Sequence, residues 1–272
     1  MEGNARMDLN CLAYWYPKLK AAGLPTPVTE LVHASRETLQ DIYRIFEGQP
    51  TTAVCEPFFA TLHAAAERIG YPLFLRSGHT SGKHNWQNTC YVKRAHDLKE
   101  HLLSIVEYSE LVSVCGLPCE WWAIRELLPT KMLAYAPEFG HMPICREFRA
   151  FVSDAAVECI HPYWSAIMLE KGGVPEARKV AESLSRTEDL SYLRELASRA
   201  GAAVRGEWSV DMLDTERGWF ITDMAVAGAS YHLSDCPNSK PRKQNYPPST
   251  APMVHVPARR PDNENLLDAP SS

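Results

Sequence analysis

The chain has 272 residues, 45% of them hydrophobic and 22% charged, and a formal net charge of -5 at pH 7. Such a chain can bury a substantial core, as one large domain or two lobes. Its mild acidity argues against broad binding to nucleic acids or membranes. The sequence has no apolar run near the roughly 20 residues that cross a bilayer, and its first ten residues lack the hydrophobic core of a signal peptide.

The eight cysteines are scattered, and several lie in apolar runs, as buried free thiols do. Cys115 and Cys119 form the only close pair in the sequence, without a second pair or a nearby pair of histidines. This spacing favours free thiols over a zinc site. We therefore expect a protein of the reducing cytoplasm.

The first 70 residues predict a small α+β lobe. A loop-rich entry leads to a strand near residues 28–32, and Ser35 is expected to cap a helix that runs to Phe46. A second helical pattern covers residues 57–69 and ends at Gly70, because glycine commonly terminates helices.

Residues 71–86, YPLFLRSGHTSGKHNW, predict a phosphate-binding loop. An apolar run suited to a buried strand leads into Arg76, and a loop with two glycines, the second being Gly82, leads to Lys83. Glycines let backbone N–H groups approach oxyanions, and the two cations neutralise their charge. A surface turn with two ordinary basic residues is the alternative. The nucleotide P-loop pattern is not met, since only three residues separate the glycines and a histidine replaces the required Ser or Thr.

The middle of the chain predicts further strands around one helix. A strand is expected around residues 90–93, and Asp97 is expected to cap a helix over residues 98–110, whose apolar positions share one face. The aromatic-rich residues 120–128 predict another strand, which ends at Pro129.

Residues 146–152, REFRAFV, predict a strand with two different faces. Alternation places Glu147 and Arg149 on one face, and Arg146 and Phe148 on the other. A half-buried strand with one wet face and a solvated edge strand both fit this pattern.

Two helices and a hairpin are expected next. The helices cover residues 175–186 and 187–200, and Gly201 is expected to end the second. Residues 208–224 predict two strands joined by a turn, in which Asp214 is expected to be solvated.

Two aspartates lie within the apolar strands of this hairpin. If Leu213 faces Trp219 across the turn, Asp211 lies diagonal to Asp223, and both carboxylates project from the same face. A carboxylate in an apolar strand costs several kcal/mol unless it is paired or binds a metal. The pattern therefore predicts that Asp211 and Asp223 share a cation, the alternative being that arginines such as Arg149 satisfy them.

Together these motifs resemble the ATP-grasp superfamily, and within it the clade of a eukaryotic cell-division-cycle protein that assists assembly of a translation initiation factor, with its bacterial and phage relatives. RSGHTSGKHNW resembles the basic strand and Ser/Gly loop of that clade, AIRELLP (residues 123–129) its hinge strand, and EFR (residues 147–149) a later strand. Asp211 and Asp223 match aspartates that hold magnesium in the clade. The asparagine expected two residues after the second aspartate is Ala225.

The resemblance implies an α+β fold in which ATP lies between two α+β lobes. The residues that would bind the nucleotide are Arg76, Gly82, Lys83, Glu126, Leu128 and Arg149. Of these, Lys83 and Arg149 would also be catalytic. Asp211 and Asp223 would hold Mg²⁺. We expect an N-terminal lobe over residues 1–70, a nucleotide-binding region over 71–233, and an extended or disordered Pro-rich tail over 234–272.

Enzymes of this superfamily phosphorylate a carboxylate and let an amine attack the acyl-phosphate. The resemblance therefore implies an ATP-dependent carboxylate–amine ligase that acts on a peptide, a protein or a small molecule. Two alternatives stay open. One is a nucleotide-binding assembly factor without turnover, which the missing asparagine favours. The other is a phosphotransferase that stops at the phosphorylated product. No stretch of the sequence indicates a particular acceptor.

Overall fold

Two four-stranded antiparallel sheets and a two-stranded hairpin organise the described residues of the computed structural model, which are 8–112, 116–233 and 236–239. Most of the predicted tail lies outside these residues. The strands are Thr29–His33 (β1), Leu73–Ser77 (β2), Tyr91–Val92 (β3), Trp121–Glu126 (β4), Met132–Ala136 (β5), Met142–Cys145 (β6), Glu147–Ser153 (β7), Ala156–Pro162 (β8), Glu207–Thr215 (β9) and Gly218–Val226 (β10). The helices are Leu12–Ala21 (α1), Arg36–Phe46 (α2), Glu56–Ile69 (α3), Leu98–Leu111 (α4), Ala166–Lys171 (α5), Ala177–Leu184 (α6) and Leu190–Val204 (α7). The fold class is α+β, as predicted.

The first sheet has the strand order β1-β4-β2-β3, and the second has the order β10-β9-β7-β8. Helices α2, α3 and α4 pack on the first sheet around residues such as Leu62, Leu102 and Trp122. Helices α1 and α7 pack on the second sheet around Trp15 and Trp208. The predicted boundary at residue 70 falls within the first sheet, because β1 precedes it and the other three strands follow it.

Local sequence signals account for several helix ends. The Ser35 hydroxyl accepts a hydrogen bond from the Thr38 N–H at 3.1 Å, as expected of the residue that caps α2. Gly70 ends α3 with a φ of +88°. Asp97 occupies the N-cap position of α4, as predicted, but the expected capping interaction is absent. Its side chain makes no capping hydrogen bond to α4, and its carboxylate instead lies near Arg94.

Gly201 lies inside α7 and does not end it, contrary to the sequence-based expectation. A Cβ atom at this position would clash with the carbonyl oxygen of Asp154, in the turn between β7 and β8. The glycine therefore permits close packing of the helix on that turn. Gly201 keeps an ordinary helical conformation, and α7 continues past it to Val204.

The predicted register of the β9–β10 hairpin is wrong by one residue. Trp219 pairs with Asp214 and not with Leu213, because the turn is tighter than expected and Thr215 pairs with Gly218. Since β9 extends through Thr215, Asp214 lies in a strand and not in the turn. It is buried and accepts a 2.9 Å hydrogen bond from Lys131, so the expectation that it is solvated is also wrong.

Among the helices of the described residues, none combines the length and the apolar character that crossing a bilayer requires.

The close packing of Gly201 predicts whether an alanine at this position raises or lowers the free energy of unfolding. Helix propensity alone would make Gly201→Ala stabilising by about 1 kcal/mol. Because the added methyl group would overlap the Asp154 carbonyl, we expect a net destabilisation of about 1–3 kcal/mol in urea unfolding.

The matched control is Ala202→Gly, on the exposed side of the same helix. Its free energy of unfolding should fall by about 1 kcal/mol, because glycine has a lower helix propensity than alanine. A Gly201→Ala variant more stable than the wild type would contradict the packing described here.

Candidate functional site

A single cavity lies between the two sheets and is lined by all of the predicted site residues except Gly82. Those that line it are Arg76, Lys83, Glu126, Leu128, Arg149, Asp211 and Asp223. They come from β2, β4, β7, β9 and β10 and from the loops that follow β2 and β4. The structure therefore brings together basic and acidic side chains that are far apart in the sequence. Arg76 and Asp223, for example, are 147 positions apart (223 − 76).

Gly82 has a conformational role beside this cavity. Its φ of +59° is in the left-handed region, and the following residues, Lys83–Asn85, form a short 3₁₀ helix. The Thr89 hydroxyl donates to the Gly82 carbonyl at 2.9 Å, and a Cβ atom at Gly82 would lie 3.1 Å from the Thr89 methyl group. Gly82 thus turns the chain so that Lys83 reaches the cavity, and its predicted contact with phosphate has no support from the cavity lining.

Arg149 and Asp211 form a two-point ion pair in the cleft. They are opposite each other on β7 and β9, with an Nε–Oδ1 distance of 2.7 Å and an Nη2–Oδ2 distance of 2.8 Å. This two-point geometry is the strong form of a carboxylate–guanidinium interaction. Burial works against the charge on Arg149, but the Asp211 carboxylate outweighs it and holds the pKa of Arg149 above its ordinary value.

Arg76 and Asp223 join the two sheets. The Arg76 Nη1 atom on β2 lies 2.9 Å from Asp223 Oδ1 on β10. Arg76 is buried, whereas the Asp223 side chain is 41% exposed and faces the open side of the cleft. The cations and carboxylates therefore alternate through the cavity and do not occupy opposite ends of it.

Lys83 reaches the same cavity from the loop after β2. Its Nζ atom is 3.6 Å from Glu147 Oε1 and 4.0 Å from the centre of the Tyr163 ring. Burial opposes the charge on Lys83, but Glu147, Tyr163 and Asp211 outweigh it and raise its pKa. Burial also raises the pKa of Glu147, against the opposing effect of Lys83. The EFR motif (residues 147–149) includes Glu147, but the sequence predicted no role for this residue in the site. Nothing in the sequence indicated Tyr163.

Arg125 is a cleft residue that sequence reasoning missed. It is 3% exposed, and it donates to the Thr29 hydroxyl at 3.2 Å and to the Thr222 carbonyl at 2.7 Å. Its buried Nη2 atom has no hydrogen-bond partner among the described residues. Burial and the neighbouring Arg76 lower the pKa of Arg125 to about 9. A buried donor without a partner, on the wall of a cavity, is suited to an anionic ligand. The signal available in the sequence was an arginine within the apolar strand β4.

One part of the cavity wall is apolar. Phe74, Trp86, Met142 and Leu128 line it, and the rings of Phe74 and Trp86 are 5.8 Å apart. Because charged groups line other parts of the wall, the cavity suits a ligand with one flat apolar part and one anionic part.

Strand β4, which the resemblance predicts to be a hinge, ends at this apolar wall. The backbone N–H group of Glu126 donates a hydrogen bond to the Val28 carbonyl at 2.9 Å, so it is not available to a ligand. Its carboxylate accepts hydrogen bonds from the Val28 N–H and from Arg217. Only the Glu126 carbonyl and the backbone of the following residues, including Leu128, are therefore candidates for the predicted contact with a base.

The carboxylates of the cleft could hold a magnesium ion. A β-bulge at Thr222 places Asp223 directly opposite Asp211, closer than the diagonal arrangement that the sequence predicted. Glu147 lies on the same face, two residues from the partner of Asp211. Magnesium is typically bound through one or two carboxylates together with phosphate oxygens, so this donor set fits. Ala225 offers no side-chain ligand.

No protein-family model and no curated protein matches this sequence. Solved structures that it resembles include Cdc123 from Schizosaccharomyces pombe, with 12% identity, a TM-score of 0.49, and coverage of 80% of this chain and 84% of that one. A RimK domain ATP-grasp protein from Sphaerobacter thermophilus has 15% identity and a TM-score of 0.44, over 80% and 60% of the two chains. D-alanine–D-alanine ligase from Bacillus anthracis, solved in complex with ATP, has 9% identity and a TM-score of 0.42, over 80% and 54%.

The chain spans less than two thirds of the length of the Sphaerobacter and Bacillus proteins. At these identities the likeness is one of fold.

The buried pair in the cleft should matter more to stability than an exposed pair. Asp211→Asn leaves Arg149 without a charged partner, and we expect it to lower the free energy of unfolding by about 3 kcal/mol without nucleotide. Glu30→Gln breaks the exposed pair with Arg68 and should cost less than about 1 kcal/mol. Urea unfolding measures both changes. Equal losses of free energy would show that the Arg149–Asp211 pair contributes no more to stability than the exposed pair does.

Proposed function

We propose that this protein binds ATP with Mg²⁺ in the cleft between its sheets and uses it as an ATP-dependent carboxylate–amine ligase. The observation that carries the proposal is the convergence of Arg76, Lys83 and Arg149 with Asp211 and Asp223 on one cavity. Cations from three separate segments suit a triphosphate, and the paired aspartates suit the metal that accompanies it.

The ion pairs of the cleft support this proposal because ligand binding would exchange their partners without leaving a buried charge unpaired. Arg76 and Arg149 now bind protein carboxylates at 2.9 and 2.7 Å. Phosphate oxygens would replace those carboxylates at the cations, and the freed aspartates would bind the metal. Such an exchange avoids the cost of several kcal/mol that an unpaired buried charge carries.

Each part of the wall has a role in the proposed complex. The apolar side chains of Phe74, Met142 and Leu128 would cover the two faces of the adenine. Lys83, with its raised pKa, stays charged and would hold the outer phosphates. Arg125 would use its unpartnered Nη2 atom on the phosphate chain or on the acceptor.

The proposed reaction has two displacements. A carboxylate oxygen of the acceptor attacks the γ-phosphorus and ADP leaves; an amine then attacks the acyl carbon and inorganic phosphate leaves. Magnesium, when bound, neutralises charge that develops on the phosphates. Arg149 would stabilise the transferred phosphoryl group. The rings of Tyr163 and Trp164, whose centres lie 4.0 and 5.3 Å from Lys83 Nζ, would restrict water there. The contribution of the chain is positioning and electrostatic stabilisation.

A second candidate function is ATP binding without turnover. Ala225 removes one oxygen ligand from the metal site, and both Asp211 oxygens are already bound by Arg149. These observations favour a site that holds a nucleotide as a structural ligand.

Nucleotide binding is tested by calorimetry with ATP and Mg²⁺. Because Lys83 makes charge-assisted contacts in the proposed complex, Lys83→Met should weaken binding by about 10- to 100-fold. The matched control is Lys93→Met, at an exposed lysine directly after β3, which should leave the affinity unchanged. Equal affinities for wild type and Lys83→Met would refute the proposed site.

Turnover is tested separately by following ADP and phosphate with ATP, Mg²⁺ and a panel of peptide and small-molecule carboxylates and amines. We expect both products to appear only when an acceptor is present, as in a ligase. Tight ATP binding with no ADP under any condition would establish the second candidate. A stable phosphorylated acceptor would identify a phosphotransferase.

A further inference from the structure

Two cysteines and two histidines form a compact cluster at the edge of the second sheet. Cys159 and His161 lie on the edge strand β8, and His232 and Cys236 lie in the chain that follows β10. One sulfur or ring nitrogen atom from each side chain lies within 4.8 Å of the corresponding atom of every other. None of the four was among the residues that the cysteine spacing or the ATP-grasp motifs singled out.

The strand register explains why the first two residues face the same way. Cys159 and His161 are two positions apart on β8, so their side chains share one face. They pair with Phe151 and Arg149 of β7. The cluster is therefore on the same face of the sheet as the candidate site, one strand further toward the edge.

The chain after β10 is held over this face by several contacts. The His232 ring stacks on the Phe151 ring, with centres 3.8 Å apart and planes at 6°. Asn238 donates a hydrogen bond to the Glu158 carbonyl at 2.8 Å. These contacts position His232 and Cys236 opposite the two ligand candidates of β8.

Two distances in the cluster are close to those between ligand atoms of a tetrahedral zinc site. Cys159 Sγ is 3.2 Å from His232 Nε2, and His161 Nε2 is 3.3 Å from the same atom. Zinc bonds to sulfur and nitrogen place neighbouring ligand atoms roughly 3.3–3.8 Å apart in a tetrahedron. Two ring nitrogens that face each other across 3.3 Å can form only one N–H···N hydrogen bond, whereas a shared cation satisfies both as acceptors.

We propose that Cys159, His161, His232 and Cys236 bind one structural Zn²⁺ ion, which fastens the chain after β10 to the edge strand of the second sheet. Two sulfur and two imidazole ligands in a tetrahedral array are typical of zinc. Four protein ligands complete the coordination, so the ion has no open position for a substrate. None of the four ligands belongs to the proposed nucleotide site.

The zinc site would also hold in place the backbone at Tyr231, which contacts Arg149. The carbonyl of Tyr231, next to His232, accepts a hydrogen bond from Arg149 Nη1 at 3.3 Å. The metal therefore orders the backbone that approaches the outer side of Arg149, and a chain without the metal would leave this backbone free to move away.

The first test is elemental analysis of the full chain, purified under reducing conditions without added metal. We expect about one zinc ion per chain in the wild type, and near-complete loss in the Cys159→Ser/Cys236→Ser double variant. The matched control is Cys55→Ala/Cys119→Ala, which removes two buried thiols from the core of the other sheet and should retain the zinc. Circular dichroism checks that each variant is folded.

The second test needs no variant. Zinc is removed from the wild type by a chelator and replaced by Co²⁺ under reducing conditions, which should produce the visible absorption of tetrahedral cobalt with thiolate ligands. Hydrogen exchange at residues 230–233 and 236–239 should become faster on zinc removal and slow again on its return.

The proposal would be overturned by zinc that persists in the Cys159→Ser/Cys236→Ser variant. Reduced wild type that contains no zinc and takes up no cobalt would overturn it as well. A Cys159–Cys236 disulfide that mass spectrometry finds in protein purified under reducing conditions, or iron in place of zinc, would also contradict it.

Discussion

Ion pairs between different strands are the interactions on which the cleft depends. Arg76 from the first sheet binds Asp223 from the second, and Arg149 binds Asp211 within the second. Each of these charges would be costly to bury alone, since desolvation disfavours an unpaired ion in a protein interior. The pairing makes it possible for a cavity between two apolar cores to carry a high density of charge. It also means that a ligand must offer charges of both signs to displace these contacts.

Much of the fold could be predicted because it depends on local patterns. The hydroxyl of Ser35 and the flexibility of Gly70 mark helix ends in any context, and their positions were predicted correctly. The alternation in β7 was also informative. Phe148 enters the core, while Arg149 faces the cavity. Of the two interpretations that the pattern allowed, the strand with one wet face is therefore correct, and its wet face is the wall of the cleft.

The remaining features depend on contacts between distant residues, which periodicity does not encode. Gly201 looks like a helix terminator until the Asp154 carbonyl is seen against it. Asp214 looks like a turn residue because Lys131, its partner, is 83 positions away. The Cys159 and His232 side chains are separated by 73 positions, and neither local spacing resembles a familiar zinc motif. Only the sheet register and the path of the chain after β10 bring them together.

The most consequential of these non-local features is the bulge in β10. Before it, Ile221 pairs with Met212, and both side chains enter the core. With no extra residue, Asp211 would pair with Thr222, and alternation would direct Asp223 into that core. The inserted residue moves Asp223 opposite Asp211, on the wall of the cavity.

A bulge leaves backbone groups without their usual partners in the sheet. Here Arg125 satisfies the Thr222 carbonyl with a 2.7 Å hydrogen bond from the other sheet. A guanidinium that is 3% exposed therefore holds the distortion that places Asp223 in the cleft. The carboxylate pair thus depends on a one-residue insertion in β10 and on a cation from β4, and the identities of the two aspartates alone would not produce it.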